Sequence, residues 1–218
     1  MKAVITADIV DYSGLDSGKA DEVLDVLHSL FGELRSVRSN VFEGFSVRRG
    51  DSIQGEVSDV RDSLRVALLL KTVINRISFG QGKKRKSPVN VRIAIGVGEV
   101  SSERDTVGQS FGEAYLFSGR LLDSMKKSKR VLAAKTQDEE VNRELDTEFR
   151  LLEVIMNNWK ITSADVLYLT LSGLDEKQTA SRLGISQSAV NQRKRSAGWN
   201  AVNALLTRYE ELMDKLRQ

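Results

Sequence analysis

Apolar residues open the chain almost without interruption. Residues 3–10 (AVITADIV) are short and β-branched, which predicts a buried central strand. Over residues 18–39 the apolar positions Ala20, Val23, Leu24, Leu27, Leu30, Phe31 and Leu34 recur at i, i+3, i+4 and i+7, the period of an amphipathic helix. Two strand-like runs, 41–47 and 52–57, then flank Arg49-Gly50-Asp51 and predict a β-hairpin. Leu64 to Ile77 is a second helix, with Val66, Leu69, Leu70 and Val73 on one face. Residues 79–88 (FGQGKKRKSP) are a polar, basic loop. Residues 89–97 alternate as a strand, 112–125 are helical and 130–134 form a short strand. The order β-α-β-β-α-β-α-β predicts an α+β fold on a ferredoxin-like, split βαβ plan with additions.

The pattern changes after Thr136. Residues 137–158 form a charged helix with apolar Val141, Leu145, Phe149, Leu152 and Ile155, read as a connector. From Ile161 onward there is no strand signal. The chain therefore divides into a domain at 1–135, a connecting helix at 136–160 and an all-α module at 161–218.

Within that module, residues 175–196 read DEKQTASRLGISQSAVNQRKRS. Ala180, Gly184 and Val190 have helix-turn-helix spacing: the small Ala lets two helices cross, and Gly takes the left-handed turn. Ser186 is the N-cap of the second helix, and Ile185 and Val190 pack beneath it. The groove-facing residues are then Gln187, Ser188, Asn191 and Gln192; Asn and Gln can bond both edges of adenine. Arg193, Lys194 and Arg195 follow, suited to phosphates, with no acid in sequence between Gln178 and Tyr209. The segment resembles helix-turn-helix modules such as region 4 of sigma factors and LuxR-type regulators. The bland alternative is a helical bundle for protein contacts.

Composition narrows the chemistry. The 218 residues hold no Cys, one His (His28) and one Pro (Pro88). Thiol catalysis, thiolate zinc sites and a His-based triad are thereby excluded or disfavoured. With 33 Lys and Arg against 30 Asp and Glu, the net charge is only +3. Any nucleic-acid surface must be local, and residues 161–218 hold 8 basic and 6 acidic residues. No apolar run approaches the ~20 residues of a membrane span. The first residues, MKAVITAD, do not read as a signal peptide, so a cytoplasmic location is expected. His28, among Leu27, Leu30 and Phe31, reads as a packed or surface residue. Lys83-Lys84-Arg85-Lys86 reads as a solvated loop or an anion contact.

Thr6-Ala7-Asp8-Ile9-Val10-Asp11-Tyr12-Ser13 together with Gly50-Asp51 resembles the class III nucleotide cyclase catalytic domain. That resemblance implies that Asp8 and Asp51 hold Mg²⁺ or Mn²⁺ with a nucleotide, with Ile9 and Ser13 beside them; such a hard cation takes few carboxylates plus phosphate oxygens. The alternatives are a plain strand acid for Asp8, a turn acid for Asp51 and a solvent or salt-bridge residue for Arg120. Gly112 and Arg120 fit a further family pattern. Leu116, however, stands at the transition-state Asn, Gln109 and Val47 at the base readers, and Asp11 at a phosphate-turn Gly. Losing one positioned transition-state donor costs about 10²–10³ in rate. The resemblance thus implies nucleotide binding without efficient catalysis, and no catalytic residue is assigned. Arg48 and Arg49 flank the hairpin and either reach a phosphate or, for Arg49, cover a sheet edge.

The complete arrangement resembles the SatD family, in which a domain of this kind precedes a helix-turn-helix; Arg49-Gly50-Asp51-Ser52-Ile53-Gln54-Gly55 and Trp159-Lys160-Ile161-Thr162 carry that likeness. It implies a homodimeric regulator that binds double-stranded DNA and senses a nucleotide. The alternatives are an active nucleotidyl cyclase with a helical regulatory module, and an interaction scaffold.

Overall fold

The computed structural model describes residues 1–37, 42–48, 51–80, 82, 85–102 and 111–217. Its centre is β1 (Lys2–Val10), whose β-branched run is buried on both sides. The helix α1 (Ser17–Val37) leads to a hairpin of β2 (Phe42–Arg48) and β3 (Ser52–Val57). Then come α2 (Ser63–Asn75), β4 (Asn90–Gly98), the short strands β5 (Val100–Ser102) and β6 (Phe111–Gly112), α3 (Glu113–Ser128) and β7 (Leu132–Lys135). Four strands form the order β2-β3-β1-β4, and β7 extends it beside β4. Because β3 is antiparallel to both β1 and β2, it lies between two parallel strands, the split βαβ plan. The β5–β6 pair is an addition that hydropathy did not predict.

Alternation along β1 divides the sheet. Ala3, Ile5, Ala7 and Ile9 enter the main core with Val23 and Leu27 of α1 and Leu64 and Leu68 of α2. Thr6 and Asp8 face the other way, toward α3, where the Thr6 hydroxyl donates to Ser118 Oγ at 2.9 Å. On the same side of β4 stand Arg92, Ala94, Gly96 and Gly98. A Cβ on Gly96 would lie 2.1 Å from the Ala114 carbonyl oxygen, so only glycine lets α3 approach this closely.

The remaining helices are α4 (Glu139–Met156), α5 (Ile161–Leu171), α6 (Glu176–Leu183), α7 (Gln187–Ser196) and α8 (Trp199–Lys215). Residues Val141, Leu145, Phe149 and Leu152 of α4 are buried, as their period predicted, whereas Ile155 is half-buried. The core does not divide at 135/136 or 160/161. Phe149, Leu167, Tyr209, Leu212 and Met213 belong to the same apolar cluster as Ile5 and Leu64. Polar contacts cross those boundaries too. Tyr209 and Ser63 share a buried hydroxyl pair at 2.7 Å, Arg76 pairs with Asp165 at 3.0 Å, and the Arg85 carbonyl accepts from Ile161 N at 2.9 Å. So α4 packs between sheet and C-terminal helices as well as joining them. Among the described residues no helix is long and apolar enough to cross a membrane. His28 is exposed on α1.

Candidate functional site

Two surfaces hold the residues singled out from the sequence. The first is the end of β1. Asp8 lies across from Ser52 on one side and Arg92 on the other. Ile9 itself is core, 3% exposed, but its N–H donates to the Asp51 carbonyl at 3.0 Å and ties the strand to the hairpin. Asp11 adopts a left-handed conformation (φ 58°) that opens a 3-10 turn at Tyr12–Gly14, and Ser13 is exposed there. Asp8, Ile9, Ser13 and Asp51 are therefore gathered at one end of the sheet.

Gly112 is not gathered there. Gly112 precedes α3, whose start meets Gly98 and Glu99, and Gly98 pairs with Lys2 at the opposite end of β1. Six residue steps along the strand take Lys2 to Asp8, about 20 Å at ~3.3 Å per residue. Arg120 is exposed on α3, and Leu116 on the same helix is 46% exposed. Arg49, Gly50, Lys83, Lys84 and Gln109 lie outside the described residues, and Val47 packs against the core.

The carboxylate of Asp8 is already paired. Arg92 Nη1 donates to both its oxygens, at 3.0 and 2.9 Å, and Lys126 Nζ lies 3.6 Å away. No group of three or more His, Cys, Asp or Glu suited to a metal occurs among the described residues. As placed, the Asp8 carboxylate is occupied by these two side-chain cations. Further along the same face, Glu56 is 4% exposed, pairs with Lys2 at 3.3 Å and accepts from the Tyr115 hydroxyl. Gln54 donates to Thr6 at 3.5 Å. The alternation of β1 and β3 would have revealed this polar layer (Thr6, Asp8, Gln54, Glu56), but only the fold brings Arg92, Tyr115 and Lys126 to it.

The second surface is α6–α7. A capping box starts α6: the Asp175 carboxylate accepts from Gln178 N at 2.8 Å, and Gln178 Oε1 accepts from Asp175 N at 2.9 Å. Gly184, at φ 63°, ends it. The Ser186 hydroxyl accepts from Ala189 N at 3.2 Å and caps α7. Val166 of α5, Ala180 and Val190 form a small core, with Leu183 and Ile185 beside it. Gln187, Ser188, Asn191, Gln192 and Arg195 are exposed along α7, and Ser188 is held by the Ser186 hydroxyl at 2.9 Å.

Arg193 is half-buried, and Lys194 is engaged within the chain. Lys194 Nζ lies 3.1 Å from Glu176 Oε1 and 5.7 Å from the centre of the Trp199 ring. Asn191 Nδ2 donates to the same Glu176 oxygen at 3.4 Å. The stretch without acids in sequence thus faces one in space, and of the three successive cations Arg195 is the exposed one. Sequence reading missed Glu176 because it lies in the preceding helix.

No protein-family model matches the sequence, and no curated protein matches it. Among solved structures, the chain is similar to the active GGEEF domain of a diguanylate cyclase from Vibrio cholerae. That likeness has a TM-score of 0.43 and 18% sequence identity, and covers 63% of this chain and 83% of that one.

Proposed function

We propose that the chain is a DNA-binding regulator whose N-terminal domain senses a nucleotide without efficient catalysis. The observation that carries the reading is the Gly184 turn with a Ser186-capped α7 exposing Gln187, Ser188, Asn191, Gln192 and Arg195. Short amides and hydroxyls at the start of a second helix suit base edges in the major groove, and Arg195 suits a phosphate. The nucleotide part rests on the resemblance at Asp8, Asp51, Gly112 and Arg120. Leu116, in place of a polar transition-state donor, favours binding over turnover.

In this reading two copies pair through their N-terminal domains. Gly112 and Arg120 of one copy then approach the Asp8 end of the other, and paired α7 helices stand about 34 Å apart, one DNA turn. The helix α4 is the connection, since Phe149 stacks on Tyr209 of α8 with ring centres 6.2 Å apart.

The test is fluorescence anisotropy of the full chain on a library of genomic DNA fragments at several salt concentrations. Salt-dependent binding is expected, weakened by Asn191→Ala in a sequence-dependent way and by Arg195→Ala on every sequence. No salt-dependent binding, or binding indifferent to both substitutions, would refute the reading. Incubation with ATP or GTP and chromatography of the products tests the catalytic half: rapid formation of a cyclic nucleotide would overturn it.

A further inference from the structure

The carboxylate that the cyclase resemblance gives to a divalent cation is the one that the fold has already neutralised. Asp8 is 9% exposed. Both its oxygens accept from Arg92, which stands directly opposite it in the β1–β4 ladder, and Lys126 approaches from the end of α3. The placement follows from the packing of α3. Ala94, Gly96 and Gly98 let that helix lie almost on β4, which leaves Arg92 as the one large side chain on its inner face and brings Lys126 over the end of β1. Mg²⁺ needs near-octahedral oxygens at short distance. To seat it, the guanidinium would have to leave Asp8. Arg92 is itself largely buried, and its Nε is a buried donor without a hydrogen-bond partner among the described residues. Stripped of Asp8, this side chain would be an uncompensated buried charge, beside a new divalent one.

We infer that the cation at this site is built into the chain. Arg92, with Lys126 beside it, stands where a metal would, and a phosphate-bearing ligand meets this end of the sheet without Mg²⁺ or Mn²⁺. The ligand half of the inference rests on the nucleotide-sensing reading above; the metal half rests on the geometry of Asp8.

The experiment is a calorimetric titration of the full chain with MnCl₂ alone, accompanied by amide NMR spectra. Up to millimolar Mn²⁺, no saturable heat is expected and no paramagnetic broadening at Asp8, Ser52 or Arg92. Saturable binding that broadens those amides, and that Asp8→Asn abolishes, would overturn the inference; the broadening decides alone if that variant does not fold. Arg92→Gln, which frees the carboxylate, should acquire Mn²⁺ binding. Lys126→Gln, at a half-exposed side chain, should move in the same direction to a smaller extent. Thermal shifts with ATP and GTP are then compared in EDTA and in Mg²⁺. Equal shifts are expected, and a shift that requires Mg²⁺ contradicts the inference. If no nucleotide shifts the transition, the sensing reading fails by itself and the Mn²⁺ titration still decides the metal half.

Discussion

The Lys194 ammonium lies 3.1 Å from the Glu176 carboxylate, which ties the cationic end of α7 to the start of α6. A lysine held this way, with its ammonium over the Trp199 ring, neutralises a side chain rather than a phosphate. Glu176→Gln is expected to release it. Full-chain binding to non-cognate DNA should then tighten, and the slope of log affinity against log salt should steepen by about one unit. Anisotropy titrations over a salt series measure this, and an unchanged slope would show that Lys194 takes no phosphate when freed.

Two glycines should respond in opposite ways to alanine. Gly96 is pressed against the backbone of α3, where a Cβ would lie 2.1 Å from the Ala114 oxygen and 2.6 Å from Ser118 N. Gly96→Ala is expected to cost at least ~1–3 kcal/mol, the range for overpacking, because neither backbone can retreat. Gly32 lies within α1, with nothing among the described residues within 4 Å of an added Cβ. Gly32→Ala should stabilise by about 0.5–1 kcal/mol through helix propensity. Urea midpoints of the two variants against the wild type check both signs.

The turn before α7 depends on two residues of different kinds. Ser186→Ala removes the acceptor for Ala189 N and is expected to cost about 0.5–2 kcal/mol. Gly184→Ala meets no steric contact among the described residues but places a Cβ at φ 63°, at a cost of about 1–2 kcal/mol. Hydrogen exchange should show faster opening of α7 in both variants. If protection changes only in the N-terminal sheet, the turn is not what holds α7.

Burial within α2 pushes Lys71 down to about 8, against a weaker opposing pull from the charge of Glu153. Its ammonium donates to Asn90 Oδ1. The folded value lies below the unfolded one, so the unfolded chain binds more protons between about pH 8 and 10.5. Stability from this group is therefore lowest below pH 8 and rises as pH increases through that window. Lys71→Met should be more stable than the wild type at pH 7, by up to ~3 kcal/mol. That advantage should shrink as the pH approaches 10. Paired denaturation curves at pH 7, 8.5 and 10 measure the difference, and a gap independent of pH would place the charged lysine in a solvated setting.

Much of the architecture could be read from local signals. The β-branched run at 3–10, the helical period of Val141, Leu145, Phe149 and Leu152, and the Ala180, Gly184, Val190 spacing each report on a few neighbouring residues. Backbone preference and one-sided burial act over that range. The left-handed turn at Gly184 and the Ser186 cap were legible for the same reason.

What only the folded chain decided are the pairings between distant residues. Asp8 reads as a site acid until the β1–β4 register sets Arg92 across from it and the glycine-lined approach of α3 brings Lys126 near. Lys194 reads as a phosphate contact until α6 folds back with Glu176. Residues 1–135 and 161–218 read as separate modules until Tyr209 reaches Ser63 and the two share one apolar core. A charge is defined by what lies within a few ångströms of it. Along the chain Asp8 and Arg92 are 84 residues apart, and only the sheet brings them to 2.9 Å.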